Sequence, residues 1–213
     1  MAKIELVYPQ SPTTKLETPI NFQMDVKDGP YEEDLPDDRF RQQLREIRTT
    51  PPNKTAFLVG AMNKYMDSQT RRMVKEAREL IETVDRALVD YNYRCFHCFG
   101  LQDYGKYRVT SSQATLRDGI LVRRSNIFIA LDTAPESSNA QTEILYRLDQ
   151  GGSLIALFRE DNLRPEYRGW LEEQVASRLS TNPSAVILTY RNLDDLKEEI
   201  CKIADLRYPF LRQ

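Results

Sequence analysis

From Thr55 onward the chain alternates short, wholly apolar runs with longer stretches in which apolar residues recur every three or four positions. Ala56-Phe57-Leu58-Val59 is the first run and ends at Gly60. Ile127 to Leu131, Leu154 to Phe158 and Ala185 to Tyr190 are its later counterparts, and Arg94 to Phe99 reads as a further strand. Between them, Ser68 to Val89 places Met73, Val74, Ala77, Leu80, Ile81, Val84 and Leu88 on one helical face. Helices are likewise predicted over about Ser112 to Arg123, Asn139 to Gln150, Glu166 to Leu179 and Leu193 to Leu206, with Gly151-Gly152 stopping the second of these.

A strand that is apolar at every position is buried on both faces, which requires helices on both sides of a parallel sheet. With right-handed crossovers, the pattern predicts an α/β fold: a doubly wound, five-stranded parallel sheet of flavodoxin-like (Rossmann-like) order 2-1-3-4-5.

The first 54 residues obey a different pattern. Pro9, Pro12, Pro19, Pro30, Pro36, Pro51 and Pro52 interrupt them, and Glu32-Glu33-Asp34 and Asp37-Asp38 add acidic, core-averse stretches. Lys3 to Tyr8 alternates like a strand, and Asp37 to Ile47 suits a short helix that Pro51-Pro52 stops. The chain therefore divides into a Pro-rich, irregular N-terminal extension (1–54) and an α/β domain (55–213). The extension is expected to pack on a neighbouring surface or to act as an oligomerisation arm.

Charge and composition remove several function classes. Lys and Arg number 30 against 32 Asp and Glu, a formal net charge of -2, with no basic half to attract a nucleic-acid backbone. No apolar run reaches the roughly 18 to 20 residues that a membrane span needs. The start, MAKIELVYPQ, has no apolar signal core, and the three cysteines suit free thiols in a reducing compartment, so a cytoplasmic location is expected. Cys95-Phe96-His97-Cys98 has C-x-x-C spacing, but these residues would alternate within a strand, and a zinc site needs more ligands. No metal is expected.

In a doubly wound sheet, ligands sit beyond the carboxyl ends of the strands, here at the switch between strands one and three. Two loops border that crevice: Gly60 with Asn63, Lys64 and Tyr65 after strand one, and Asp132 to Asn139 after strand three. Neither G-x-G-x-x-G nor G-x-x-x-x-G-K-[ST] is present, so a dinucleotide cofactor and P-loop chemistry are not expected, and no cofactor is assigned. Three carboxylates cluster here: Asp118 in the helix before strand three, Asp132 at its end, and Glu143 in the first turn of the next helix, where the helix dipole favours an ionised form. An ionised carboxylate can attack an anomeric carbon while a second carboxyl protonates the leaving group. The plainer reading is that Glu143 caps its helix and Asp118 faces solvent.

The segment Asp118-Gly-Ile-Leu-Val-Arg-Arg-Ser-Asn-Ile-Phe-Ile-Ala-Leu-Asp132, then Ser137-Ser-Asn-Ala-Gln-Thr-Glu143-Ile and Gly151-Gly-Ser-Leu-Ile155, resembles the nucleoside 2-deoxyribosyltransferase superfamily, which includes N-glycosidases of deoxynucleoside monophosphates. The resemblance spans about residues 55 to 160. It implies that Glu143 is a nucleophile toward C1′ of the sugar, forming a glycosyl-enzyme intermediate, and that Asp118 assists at the base. It places Ser137, six residues before Glu143, where the hydrolase branch binds phosphate and the transferase branch binds sugar hydroxyls. Gly60 matches the glycine that ends strand one, and Asn63, Tyr65, Asp132 and Asn139 fall among the substrate-binding positions. The implied partner is a small nucleoside or nucleotide, in a homo-oligomer whose neighbouring subunit completes the site.

The chain departs from the family pattern at Asn126, where an Asp is usual, at Asn139, where a Gly is usual, and in the loop after strand one, which lacks the Ser and Arg of the phosphate-binding hydrolases. These departures keep open a catalytically silent nucleotide-binding or sensing module. A TIR-like NAD hydrolase, which also relies on a Glu on an α/β scaffold, is the other alternative. Tyr65, Tyr104 and Tyr107 are read either as a base-stacking wall or as ordinary loop aromatics, and Asp103 to Ser112 as a lid.

Overall fold

The computed structural model describes residues 4–7, 37–60, 67, 73–132, 138–178, 181 and 183–204. In chain order these form β1 (Ile4–Val7), α1 (Asp38–Thr49), β2 (Thr55–Gly60), α2 (Lys75–Asp90), β3 (Arg94–His97) and α3 (Cys98–Leu101). They continue as α4 (Ser111–Arg124), β4 (Ile127–Leu131), α5 (Ser138–Asp149), β5 (Ser153–Arg159), α6 (Pro165–Ala176), β6 (Ser184–Tyr190) and α7 (Leu193–Ala204).

The sheet runs β1-β6-β5-β4-β2-β3. All neighbours from β2 to β6 are parallel, so the strands that begin at Thr55 have the predicted order 2-1-3-4-5. To these, β1 adds an antiparallel edge with Ile4 opposite Leu188 and Val7 opposite Ala185. The alternation of side chains splits the core in two. Ala56, Leu58, Ile127, Ile129, Ile155 and Leu157 face α2 and α7, whereas Phe57, Phe128, Ala130, Leu154, Ala156 and Phe158 face α1, α4, α5 and α6.

Part of the N-terminal extension belongs to this core. Phe40, Leu44 and Ile47 of α1 are completely buried against the second face, each worth about 1.5–3 kcal/mol of burial. Asp37 caps α1 by accepting from the amides of Arg39 and Phe40. At its other end, Arg124 Nη2 donates to the carbonyls of Arg48 and Thr50, tying α1 to the end of α4.

Several boundaries differ from the sequence reading for local reasons. The strand expected to reach Phe99 ends at His97, because His97 Nδ1 accepts from the Gly100 amide at 2.9 Å and opens the turn α3. Cys95 and Phe96 still alternate across the sheet, but Cys98 lies past the strand and packs with the α2 face. The helix expected from Ser68 is described from Lys75. Asp103–Gly105 forms a 3-10 turn. Tyr107 donates to the Asp37 carboxylate with Arg39 stacked on its ring, and Tyr104 lies under Arg78. Among the described residues no helix is long and apolar enough to cross a membrane.

Candidate active site

The two helices that flank β4 bring Asp118 and Glu143 together. Helix α4 runs down toward the start of β4, and α5 returns from its end. Asp118 is seven residues from the first residue of α4 and Glu143 five from that of α5, so both lie roughly 8–10 Å below the carboxyl edge of the sheet at 1.5 Å per residue. A capping box fixes the upper end of α4: Thr110 Oγ1 accepts from the Gln113 amide at 3.2 Å, and Gln113 Oε1 accepts from the Thr110 amide at 2.8 Å.

The pair is electrostatically unusual. Asp118 is buried and accepts from Arg117 Nε at 2.7 Å and Arg117 Nη2 at 3.3 Å. Burial still raises its pKa, with Arg117 opposing that rise. Glu143 keeps some exposed surface as a residue, but its carboxyl is set among protein atoms, and that desolvation, reinforced by the negative field of Asp118, raises its pKa well above the carboxylate range. The pKa of the Cys98 thiol is raised by burial and by the negative field of both carboxyls. Two buried carboxyls with one guanidinium between them to offset their charge each disfavour the ionisation of the other.

This arrangement corrects two sequence expectations. Glu143 lies in the second turn of α5, because the helix already begins at Ser138. The dipole acts mainly in the first turn, so desolvation governs Glu143 and favours its neutral form. Asp118, in the plainer reading a solvent-exposed residue, is buried and ion-paired.

The remaining candidates are placed unevenly. Gly60 ends β2 opposite Leu131, at the switch between β2 and β4. Asp132 follows β4 with a φ of 44° and is 5 % exposed. Its carboxylate is fully engaged: Oδ1 accepts from the Arg159 amide at 3.0 Å and Oδ2 from the Tyr190 hydroxyl at 3.1 Å. It thereby locks together the carboxyl ends of β4, β5 and β6. Asn139 is in the first turn of α5, its side chain outside the described residues, as are Asn63, Tyr65 and Ser137 altogether. Sequence reasoning missed Arg117 and Cys98 as members of the cluster.

No other described feature competes. An open groove between the start of α6 and the end of β6, bordered by Glu160, Arg164, Arg168 and Thr189, is a separate surface. Arg147 is a structural clamp: it donates to the carbonyls of Val122 and Ser153, and burial lowers its pKa to about 10. Among the described residues no cluster of His, Cys, Asp and Glu is placed to hold a metal ion.

No protein-family model and no curated protein matches the chain. Solved structures do. BlsM, known from a solution structure, is 18 % identical, superposes over 75 % of this chain and 98 % of its own, and gives a TM-score of 0.56. The chain has the fold of BlsM. The CMP N-glycosidase BcmB of Clostridium botulinum is 18 % identical over 69 % of this chain and 98 % of its own, with a TM-score of 0.47. At this identity the likeness to BlsM speaks for the α/β scaffold.

Proposed function

We propose that the protein cleaves or transfers the N-glycosidic bond of a nucleoside or nucleotide, with Glu143 as the nucleophile and a glycosyl-enzyme intermediate. The observation that carries the reading is the buried pair of Asp118 and Glu143, on the two helices that flank β4, with a single buried guanidinium, that of Arg117, bound to Asp118. N-glycosidic exchange needs one carboxylate to attack C1′ and one carboxylic acid to protonate the departing base. A pair in which each carboxyl opposes the ionisation of the other is suited to supply both roles. The motif resemblance from Asp118 to Ile155 and the shared scaffold with BlsM support the same assignment.

Substrate contacts are assigned to Gly60, Asn63, Tyr65, Ser137 and Asn139, with Asp132 shaping the crevice through the strand ends it ties. A cytoplasmic homo-oligomer with a composite site completes the proposal. Sedimentation at micromolar concentration tests the assembly, and a monomer argues against it.

One observation favours a catalytically silent binding module instead. Desolvation holds Glu143 toward its neutral form, which is no nucleophile until its proton moves. A chromatographic screen for free base decides between the two. Ribo- and deoxyribonucleosides, their monophosphates and NAD are incubated with wild type and with Glu143→Ala. Base release that disappears in the variant supports the proposal and names hydrolysis or transfer by its products; release from NAD alone selects the NAD-hydrolase alternative. A folded wild type that releases no base from any of them sinks the enzymatic reading.

A further inference from the structure

We infer that Arg117 is the positioning residue of the carboxyl pair: one edge of its guanidinium holds the Asp118 carboxylate, and Nη1 is held in reserve for the carboxylate of Glu143. The inference rests on the proposed role of Glu143. Its physical basis is the geometry of one side chain. Arg117 is 0 % exposed, the largest fully buried side chain among the described residues. Nε and Nη2, which share one edge of the planar group, take Asp118 side-on. Nη1 is also buried, and finds no hydrogen-bond partner among the described residues. A buried cationic donor left unpaired is costly, and such groups are rare in folded proteins.

The groups around that donor show which acceptor it is reserved for. The guanidinium is paired with Asp118 from its own helix, and its positive field also reaches Glu143 on α5 and Cys98 on α3. Asp118 is already engaged, and a buried thiol is a weak acceptor. A neutral Glu143 gives the donor little reason to turn toward it, whereas an ionised one is the strong acceptor it lacks. The pair carries one proton and one negative charge in either arrangement. In the resting arrangement Asp118 is ionised and Glu143 neutral. In the reactive arrangement the proton has passed from Glu143 to Asp118, and Nη1 donates to the Glu143 carboxylate. Glu143 then forms a bond to C1′, the C1′–N bond breaks with its electron pair going to the base nitrogen, and the Asp118 proton follows to the base. Charge and protons balance without a further reactant.

The test uses Arg117→Met and Arg117→Lys in the full chain, with carboxyl carbons of Asp and Glu isotopically labelled for NMR titration. Removing the cation is expected to raise the titration midpoints of Asp118 and Glu143 by about one pH unit or more, and Arg117→Lys is expected to hold them near wild type. The acid limb of the kcat profile is expected to move with the midpoints in Arg117→Met, while KM changes little. Midpoints unchanged in a folded Arg117→Met overturn the inference, and so does a shift confined to Asp118, which loss of the Arg117–Asp118 ion pair alone would give. If Arg117→Met does not fold, Arg117→Lys decides: a kcat loss of at least about tenfold with wild-type midpoints supports the reserved donor, and unchanged kcat overturns it. The titration needs no turnover, so a wild type that releases no base sinks the proposed function, and the titration alone then decides whether Arg117 holds the pair.

Discussion

Acid stability should depend on His97 to a degree that can be worked out. The imidazole is 6 % exposed, and Nδ1 accepts from the Gly100 amide at the start of α3. Burial, with a smaller contribution from the positive field of Arg94, lowers its pKa from 6.5 to about 4. The unfolded chain therefore takes up a proton at a higher pH than the folded chain, and stability falls as pH drops from about 6.5 to about 4. A fall of roughly 2.5 in pKa, at about 1.4 kcal/mol per pH unit, amounts to about 3 kcal/mol, enough to remove a large share of a typical domain's stability. His97→Asn isolates this term, because the Asn carbonyl can accept from the Gly100 amide and cap the turn without titrating. Chemical denaturation of both proteins between pH 4 and pH 8 measures it. The wild type is expected to lose about 3 kcal/mol relative to the variant across that window, and the carboxyl pair cancels because it is common to both. Parallel pH profiles would refute the reasoning, since they would mean that His97 is protonated equally in both states.

Three other substitutions test the scaffold. Asp132→Ala leaves the Tyr190 hydroxyl and the Arg159 amide without their acceptor, and a loss of roughly 2–6 kcal/mol is expected in denaturant melts, at about 1–3 kcal/mol per orphaned group; a loss well under 1 kcal/mol would show that the strand ends do not depend on it. Phe40→Ala opens a cavity under α1, whose Phe40 is completely buried, and should cost about 3–5 kcal/mol if the N-terminal extension folds with the domain. A cost near zero, read from the same melts, would show that α1 is detachable. Gly151→Ala forces a side chain onto a φ of 69°, with its Cβ 2.5 Å from the Thr181 carbonyl oxygen; a melting-temperature fall of several degrees is expected, and none would mean that the turn after α5 relaxes freely.

The sheet was legible because fully buried strands announce themselves: Ile127–Leu131 has no polar residue and occupies the predicted boundaries. The β1 edge was visible only as an alternation in Lys3 to Tyr8, since nothing local says which strand such a segment will join. The carboxyls were legible through Asp118 and Glu143 themselves, but their electrostatics were not. Helix position misled at Glu143, because the residue lies a turn further into the helix than the dipole argument requires, and desolvation dominates there. Arg117 was invisible for a geometric reason. Adjacent helical residues do not ordinarily face each other, and only the length of the arginine stem lets it fold back onto Asp118. Asp132 was legible from its place after β4, but its partners Arg159 and Tyr190 were not, because they are distant in sequence.

The carboxyl pair and His97 act on stability in opposite directions, and Glu143→Gln separates them. A carboxyl whose folded pKa is raised binds protons more tightly in the folded state, so the stability it contributes is present at low pH and is lost as pH rises from its unfolded value of 4.5 toward the folded one. Glutamine has the shape of neutral glutamic acid and cannot ionise beside Asp118. The variant should therefore match wild type at about pH 4 and exceed it by a margin that grows toward pH 7.5, while the proposed base release is abolished. Differential scanning calorimetry at the two pH values reads the margin. A Glu143→Gln protein less stable than wild type at both would mean that Glu143 is held by stabilising contacts and is no strained reactive group. A gain confined to the higher pH is what a site produces when it keeps a carboxyl in an unfavourable place because its chemistry requires it there.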